Sequence, residues 1–336
     1  MEIKHFTIPI FVPELACPNQ CVFCNQRKIS GQIKIPTNEE VREKIEMHLQ
    51  TIPTENRFIE VGFFGGNFTG IEHNLQKQFL EITDEYYASK KIDSIRISTR
   101  PDYINAERLQ FLKIYHVKTI ELGAQSTDDE VLRLSERGHT FSDIQTASRE
   151  ILANNFRLGL QMMIGLPGDT FEKSLQTAKD IISLNAHETR IYPTLVIAES
   201  KLEKLYLKGD YKSLSLKEAV TISKELLLLF EENNVKILRM GLHPSEELVN
   251  NTGFIAGPFH RSFKELVLTE LWKDLLKNIV NNDLKDELTV YIPVNQINYA
   301  IGYNGTNKDF LLKIFKKVNF KIDEKLTKRE YYVEYH

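Results

Sequence analysis

The sequence predicts an α/β protein: six β/α units forming a parallel sheet curled into an open, partial, TIM-like (β/α)6 barrel, with a small α+β unit after it. Three observations carry this. Strand-like apolar runs recur at 5–12, 58–64, 94–99, 117–123, 158–165 and 189–196, several apolar almost throughout, as strands buried on both faces are. Amphipathic stretches at 38–50, 73–89, 105–115, 127–135 and 142–154 lie between them. From about residue 246 the alternation stops.

The first helical stretch opens with Thr37 and carries Glu40 three residues on, a capping box. Barrel enzymes place their chemistry at the C-terminal ends of strands, and the polar and glycine-rich motifs of this chain fall there. A long helix over 215–233 precedes VKILRMGLHP (235–244), expected to be a further strand or the barrel closure. Then 251–263 reads as a loop, 264–280 as a helix and 288–336 as the small α+β unit. The expected division is therefore a barrel over 1–245 and a C-terminal domain over 246–336.

At 336 residues the chain has room for one large domain and an appendage. Hydrophobic content of 42% and charged content of 26% are ordinary for a globular protein. A net charge of −3 gives no general attraction for nucleic acid, so any such surface must be a local patch. No basic-then-apolar leader opens the chain and no apolar run reaches membrane-spanning length, so no membrane partner is expected. Free thiols without a secretion signal fit a reducing cytoplasm.

All three cysteines, Cys17, Cys21 and Cys24, stand in the run ACPNQCVFC. An odd number in a chain of this size argues against a disulfide framework. A structural zinc site wants a fourth ligand at finger-like spacing, and His5 and His48 are not so placed. Three thiolates on a short loop can hold three irons of a [4Fe–4S] cluster, whereas an ordinary electron-transfer cluster takes four protein ligands. The fourth iron is then open to a small ligand.

This C-x3-C-x2-C run, with Phe23 before its last thiol, resembles that of the radical S-adenosylmethionine (SAM) enzymes. The resemblance implies that SAM chelates the open iron and is reductively cleaved to a 5′-deoxyadenosyl radical. It implies further contacts. Gly65-Gly66-Asn67, ending the second strand in GFFGGNFTG, match the motif that binds the SAM amino group, where the family commonly has an acid in place of Asn67. Gln125 and, twelve residues on, Arg137 match a glutamine and arginine of the oxygen-independent coproporphyrinogen oxidases, which bind the SAM ribose and carboxylate. Ser98 and Gln161 occupy positions where that family carries carboxylates. The Gly-Pro-Gly type turn in IGLPGDT (164–170) and Tyr192 lie where adenine is expected; Tyr192 could equally be barrel filler, and Arg137 a solvated cation.

STRPDYI (98–104), ELGAQSTDDEVL (121–132), ERGHT (136–140), GLPGDT (165–170), RIYPTLVI (190–197) and RMGLHP (239–244) together resemble the radical-SAM half of the Elongator catalytic subunit and its stand-alone bacterial relatives. The likeness covers roughly residues 5–245. It does not extend to the acetyltransferase part of that subunit, whose acetyl-CoA loop is not recognisable here.

The C-terminal segment offers an independent sign of substrate. A strand at 288–294, a short helix at 295–301, Gly302-Tyr303-Asn304-Gly305, a helix at 306–318 and strands at 319–323 and 331–335 follow in order. That is the layout of a KH-like unit, whose G-x-x-G backbone clamps single-stranded RNA. Lys308 and Lys316, with Lys313, Lys317 and Lys321, add local positive charge. A plain capping subdomain is the competing reading. Three functions stay open: a radical SAM enzyme acting on RNA, with tRNA first; one acting on a small metabolite such as a tetrapyrrole; and an Fe–S RNA-binding protein without radical activity. An external electron donor, a flavodoxin or ferredoxin, is implied for the first two.

Overall fold

The computed structural model describes residues 3–13, 17, 21–25, 34–242, 253–280 and 285–336. Seven strands form one parallel sheet in sequential order: β1 (Lys4–Val12), β2 (Arg57–Gly65), β3 (Ser94–Thr99), β4 (Val117–Gln125), β5 (Arg157–Ile164), β6 (Glu188–Pro193) and, after a short β7 (Val196–Ile197) outside this sheet, β8 (Lys236–Met240). The six expected strands are all present. The seventh, foreseen only as a strand or a closure, adds to the sheet beside β6. β1 and β8 are not paired with each other, so the barrel stays open.

Helices cross over between successive strands. They are α1 (Asn38–Thr51), α2 (His73–Ala88), α3 (Ala106–Ile114), α4 (Asp129–Leu134), α5 (Phe141–Ala153), α6 (Phe171–Ser183), α7 (Lys201–Lys208) and α8 (Leu216–Glu232). The Thr37–Glu40 capping box is made: Thr37 Oγ1 accepts from the Glu40 amide at 3.2 Å and Glu40 accepts from the Thr37 amide at 2.7 Å. Ile59, Val61 and Phe63 of β2, Ile95 and Ile97 of β3, and Ile120 and Leu122 of β4 face these helices and form the main core. Period-two alternation sends the intervening residues into the barrel lumen. There the strands carry charge.

The segment expected as a loop over 251–263 contains a strand where it is described. β9 (Phe254–Ala256) pairs antiparallel with β7 (Val196–Ile197). Three residues give no periodicity to detect; the pairing is tertiary. The expected boundary at 245/246 lies outside the described residues. On its C-terminal side, α9 (Phe263–Leu276) serves two cores. Phe263, Val267, Leu268 and Leu271 join the barrel core, and Trp272 and Leu276 join a second, smaller one.

The small unit is a three-stranded sheet, β11 (Lys317–Ile322), β10 (Glu287–Ile292) and β12 (Tyr332–Tyr335), in the order β11-β10-β12. α10 (Ile297–Ile301) and α11 (Thr306–Leu311) connect β10 to β11, which run parallel. The helix expected over 306–318 is thus half as long. Phe315 and Val318 are buried in the small core, and Val318 pairs with Leu288 in β10, so strand pairing overrides the helical pattern beyond Leu311. Lys313, Lys316 and Lys317 consequently lie beyond the helix, not on it.

Candidate active site

The cysteine loop sits at the C-terminal mouth of the sheet. Its described part is tied down by main chain: the Val22 amide donates to Ser135 O at 3.1 Å and Val22 O accepts from the Leu202 amide at 2.7 Å. The Cys24 amide donates to Cys21 O at 3.0 Å, which folds the last two thiols into one turn. Cys21 is buried, while Cys17 and Cys24 are partly exposed. Among the described residues no group of three His, Cys, Asp or Glu side chains stands preformed as an ion cage.

Arg137 lies against this loop rather than in solvent. Its Nη1 donates to Cys21 Sγ at 3.1 Å and its Nη2 to Gly123 O at 2.6 Å. Gly123 is closely approached: an added Cβ would lie 3.0 Å from Gln125 Nε2 and 3.4 Å from Arg137 Nη2, so both side chains would have to give way. Gln125 ends β4 in the left-handed region, φ 68°, and accepts from Gln161 Nε2 at 3.1 Å. Backbone held in that region concentrates at functional sites. The two glutamines are therefore one unit.

Gly65 and Gly66 bring β2 to the rim. Gly65 has φ 129°, and a Cβ there would meet Val12 O at 1.8 Å. Gly65→Ala is expected to cost more than Gly209→Ala, where φ is 81° but nothing lies within 4 Å. The backbone conformation alone is worth about 1–3 kcal/mol, and the carbonyl clash adds to it at Gly65 only. Urea unfolding of both variants measures the difference; equal costs would mean the β1–β2 rim yields freely.

Asn67, the third residue of the matched motif, lies at the junction of β2 and β3. It is only 2% exposed, and its Oδ1 accepts from Thr99 Oγ1 at 2.6 Å. That oxygen is engaged in joining the end of β2 to β3. Ser98 Oγ is buried with no hydrogen-bond partner among the described residues. Phe23 and Tyr192, far apart in sequence, pack on one apolar cluster with Val131, Met163 and Leu166. Burial pushes the Tyr192 phenol up, against the lowering influence of Arg190. The neighbouring Gly165 turn is held by Asp169, whose carboxylate accepts from the Gly165 amide and Ser174 Oγ, each at 2.7 Å. Burial pushes that carboxyl up.

Apart from Glu188 Oε1, which is ion-paired with Arg96, eight buried side-chain polar atoms lack a hydrogen-bond partner among the described residues, and five of them fall on two segments beside the loop: Ser98 Oγ, Arg100 Nη1, Ser135 Oγ, Arg137 Nε and His139 Nδ1. Buried polar groups are nearly always paired, so such a concentration marks a place built for a polar occupant. Three soft thiolate donors suit iron and sulfide, and two guanidiniums suit a carboxylate or an anionic cluster. The residues present fit a [4Fe–4S] cluster with SAM beside it. His139 is kept neutral, its pKa driven down to about 3 by burial and then by Arg137 and Arg100.

Deeper in the lumen lies a feature absent from the sequence reading. Arg96 of β3 meets Glu60 at 2.6 Å, Glu121 at 3.2 Å and also Glu188, all with side chains at most 10% exposed. Arg190 reaches Glu121 at 2.8 Å and lies over the Phe64 ring at 5.1 Å. Burial works against the Arg96 charge, but Glu60, Glu188 and Glu121 outweigh it and its pKa is raised. The signal was present: single charged residues interrupting otherwise apolar strands.

This fold, its cysteine loop and its partnerless polar rim define a cofactor-dependent radical enzyme. The radical SAM superfamily profile matches residues 14–181 and the radical SAM C-terminal domain profile residues 186–273; the chain belongs to the radical SAM superfamily. It is accordingly a radical SAM enzyme, and its cofactors are a [4Fe–4S] cluster and SAM. It is 30% identical to an uncharacterized protein of Methanocaldococcus jannaschii, over 67% of this chain and 71% of the relative. It is 23% identical to the tRNA uridine(34) acetyltransferase of Dehalococcoides mccartyi, over 61% of this chain but only 52% of that enzyme. The chain thus spans about half the length of that acetyltransferase. In structure it is similar to the archaeal Elp3 of Methanocaldococcus infernus, with a TM-score of 0.64 at 22% identity, covering 80% of this chain and 63% of that one. The likeness to the Elongator catalytic subunit therefore holds for the fold of the radical SAM part. Among the described residues no helix is long and apolar enough to cross a membrane.

Proposed function

We propose that this radical SAM enzyme modifies RNA, with tRNA the first substrate class to test. Cys17, Cys21 and Cys24 would hold the cluster. Gly65, Gly66, Gln125, Gln161 and Arg137 would receive SAM, with Phe23 and Tyr192 beside its adenine. The cluster and SAM together supply a carbon-centred radical when bound; the chain's part is to orient SAM and keep water from the mouth. The Gly123 carbonyl supports the placement of Arg137, whose fork suits a carboxylate.

The observation that carries the RNA reading is the Gly302–Gly305 turn. Gly302 has φ 88°, Asn304 φ 53° and Gly305 φ 79°, so three of the four residues turn at positive φ. Nothing lies within 4 Å of the place a Cβ of Gly305 would take. The turn is held rigidly from behind: the Tyr303 amide donates to Thr269 Oγ1 at 2.9 Å, and Asn307 Nδ2 to Thr269 O at 3.0 Å. Gly302 is the closed end of the turn, buried, where a Cβ would meet Asn307 N at 2.8 Å, and Gly305 is its open end, which suits close approach of a phosphate. Lys308 follows it, exposed and in no ion pair among the described residues. Lys316 is instead paired with Asp286 at 2.9 Å, so Lys308 is the better cation for the clamp. The tRNA substrate named for the Dehalococcoides relative agrees with this reading.

Two measurements test it. Asn304→Asp sets a negative charge beside the clamped phosphate and is expected to weaken tRNA binding in a gel-shift titration, more so at low salt. Nucleoside mass spectrometry of tRNA from cells with and without the gene should show a modified nucleoside that depends on it. Equal tRNA binding by both proteins together with unchanged nucleosides would overturn the reading in favour of a small-molecule substrate.

A further inference from the structure

We propose that Arg100 is a positioning residue for the three-thiol site: its buried charge biases the reduction potential of the cluster, and its hydrogen bond to the Arg137 carbonyl keeps that guanidinium against Cys21. The proposal rests on the reading of Cys17, Cys21 and Cys24 as cluster ligands.

Arg100 follows β3 directly and is 1% exposed. Its Nε and Nη2 take the two Asp102 carboxylate oxygens at 2.9 Å each, and Nη2 also donates to Arg137 O at 2.7 Å. Nη1 is buried and has no hydrogen-bond partner among the described residues. The counter-ion is lopsided: the Asp102 side chain is 24% exposed against 2% for Arg100. A carboxylate partly in water screens the guanidinium incompletely toward the interior. Burial opposes the Arg100 charge; Asp102 and then Cys21 and Cys17 favour it, and its pKa ends above the ordinary value. The Arg100 guanidinium thus stands directly behind Arg137, the residue whose own guanidinium donates to Cys21 Sγ. Charge and hydrogen bonding around sulfur ligands set the potential of an iron–sulfur cluster.

The sign follows. Reduction adds one electron to the cluster, and a nearby positive charge stabilises the reduced form and raises the potential. Arg100→Gln should lower it. Asp102→Asn leaves the Arg100 charge less compensated and should raise it. Arg100→Lys, which keeps charge but loses the fork, should fall between wild type and Arg100→Gln. Opposite shifts from two hydrogen-bonded neighbours are not what a merely structural pair produces.

The experiment is a dithionite titration of the reconstituted full chain, followed by electron paramagnetic resonance of the reduced cluster. The expected shifts are about tenfold in the reduction equilibrium, or roughly 59 mV for a one-electron couple. Unmoved potentials, or shifts in the same direction for Arg100→Gln and Asp102→Asn, overturn the proposal. If Arg100→Gln does not fold, the partly exposed Asp102→Asn decides alone: a rise supports the proposal and no rise overturns it. A wild-type protein that assembles no [4Fe–4S] cluster sinks the ligand reading and this proposal together. A normal wild-type cluster with unmoved variants sinks this proposal only.

Discussion

Cys21→Ala is expected to yield a folded chain that holds no [4Fe–4S] cluster and cleaves no SAM. The effect should be complete. With three cysteines in the chain, two remain, and two thiolates cannot replace the three that leave one iron open. Cys21 is also the buried thiol and the one that receives the Arg137 Nη1 hydrogen bond. Its loss therefore removes both a ligand and the group that draws Arg137 to the loop. The fold should survive, because the loop is tied to Ser135 and Leu202 through the Val22 main chain. Iron and sulfide content, the visible spectrum and chromatography of 5′-deoxyadenosine measure the outcome. A variant that still binds four irons, or a wild type that takes up zinc instead, would contradict the assignment.

The second large effect lies away from the mouth. Arg96→Met should destabilise the apo-protein by about 3–5 kcal/mol, since breaking a buried ion-pair cluster from one side leaves charge uncompensated. Here three carboxylates, Glu60, Glu121 and Glu188, lose their shared partner. Glu121→Gln should cost less, because Arg96 keeps Glu60 and Glu188, although Arg190 loses its 2.8 Å contact. Urea unfolding of apo forms separates these costs from cluster binding. A cost below about 1 kcal/mol for Arg96→Met, in the range of exposed pairs, would mean the lumen admits enough water to solvate the three acids.

How much of this was legible differs from residue to residue. The six strands and the helices between them announced themselves through long apolar and amphipathic runs. β9 did not, because three residues carry no period and only Val196 and Ile197, far earlier in the chain, define its edge. The helix after Gly305 was over-extended for a related reason. Leu311, Phe315 and Val318 suit a helical stripe in isolation, and the parallel pairing with β10 decides between helix and strand. In the site, Asn67 is legible from its place in the glycine motif. Its hydrogen bond with Thr99, 32 positions away, is a contact that motif spacing cannot express. Arg100 is one more cation inside STRPDYI in the sequence, and only the fold shows its guanidinium donating to the Arg137 carbonyl.

The sequence by itself determined what chemistry the chain can hold. Three thiols within eight residues, glycines ending β2 and the glutamine–arginine interval are local facts, and ligand spacing along a loop is a short-range property that spacing in sequence reports directly. Only the tertiary structure decided which charges face one another. Arg96 collects acids from β2, β4 and β6, Arg137 crosses 116 positions to reach Cys21, and Arg100 is set behind Arg137 by the curl of the sheet. Coulomb energies depend on separation in space and on burial. Both are products of the parallel sheet rather than of any stretch of chain.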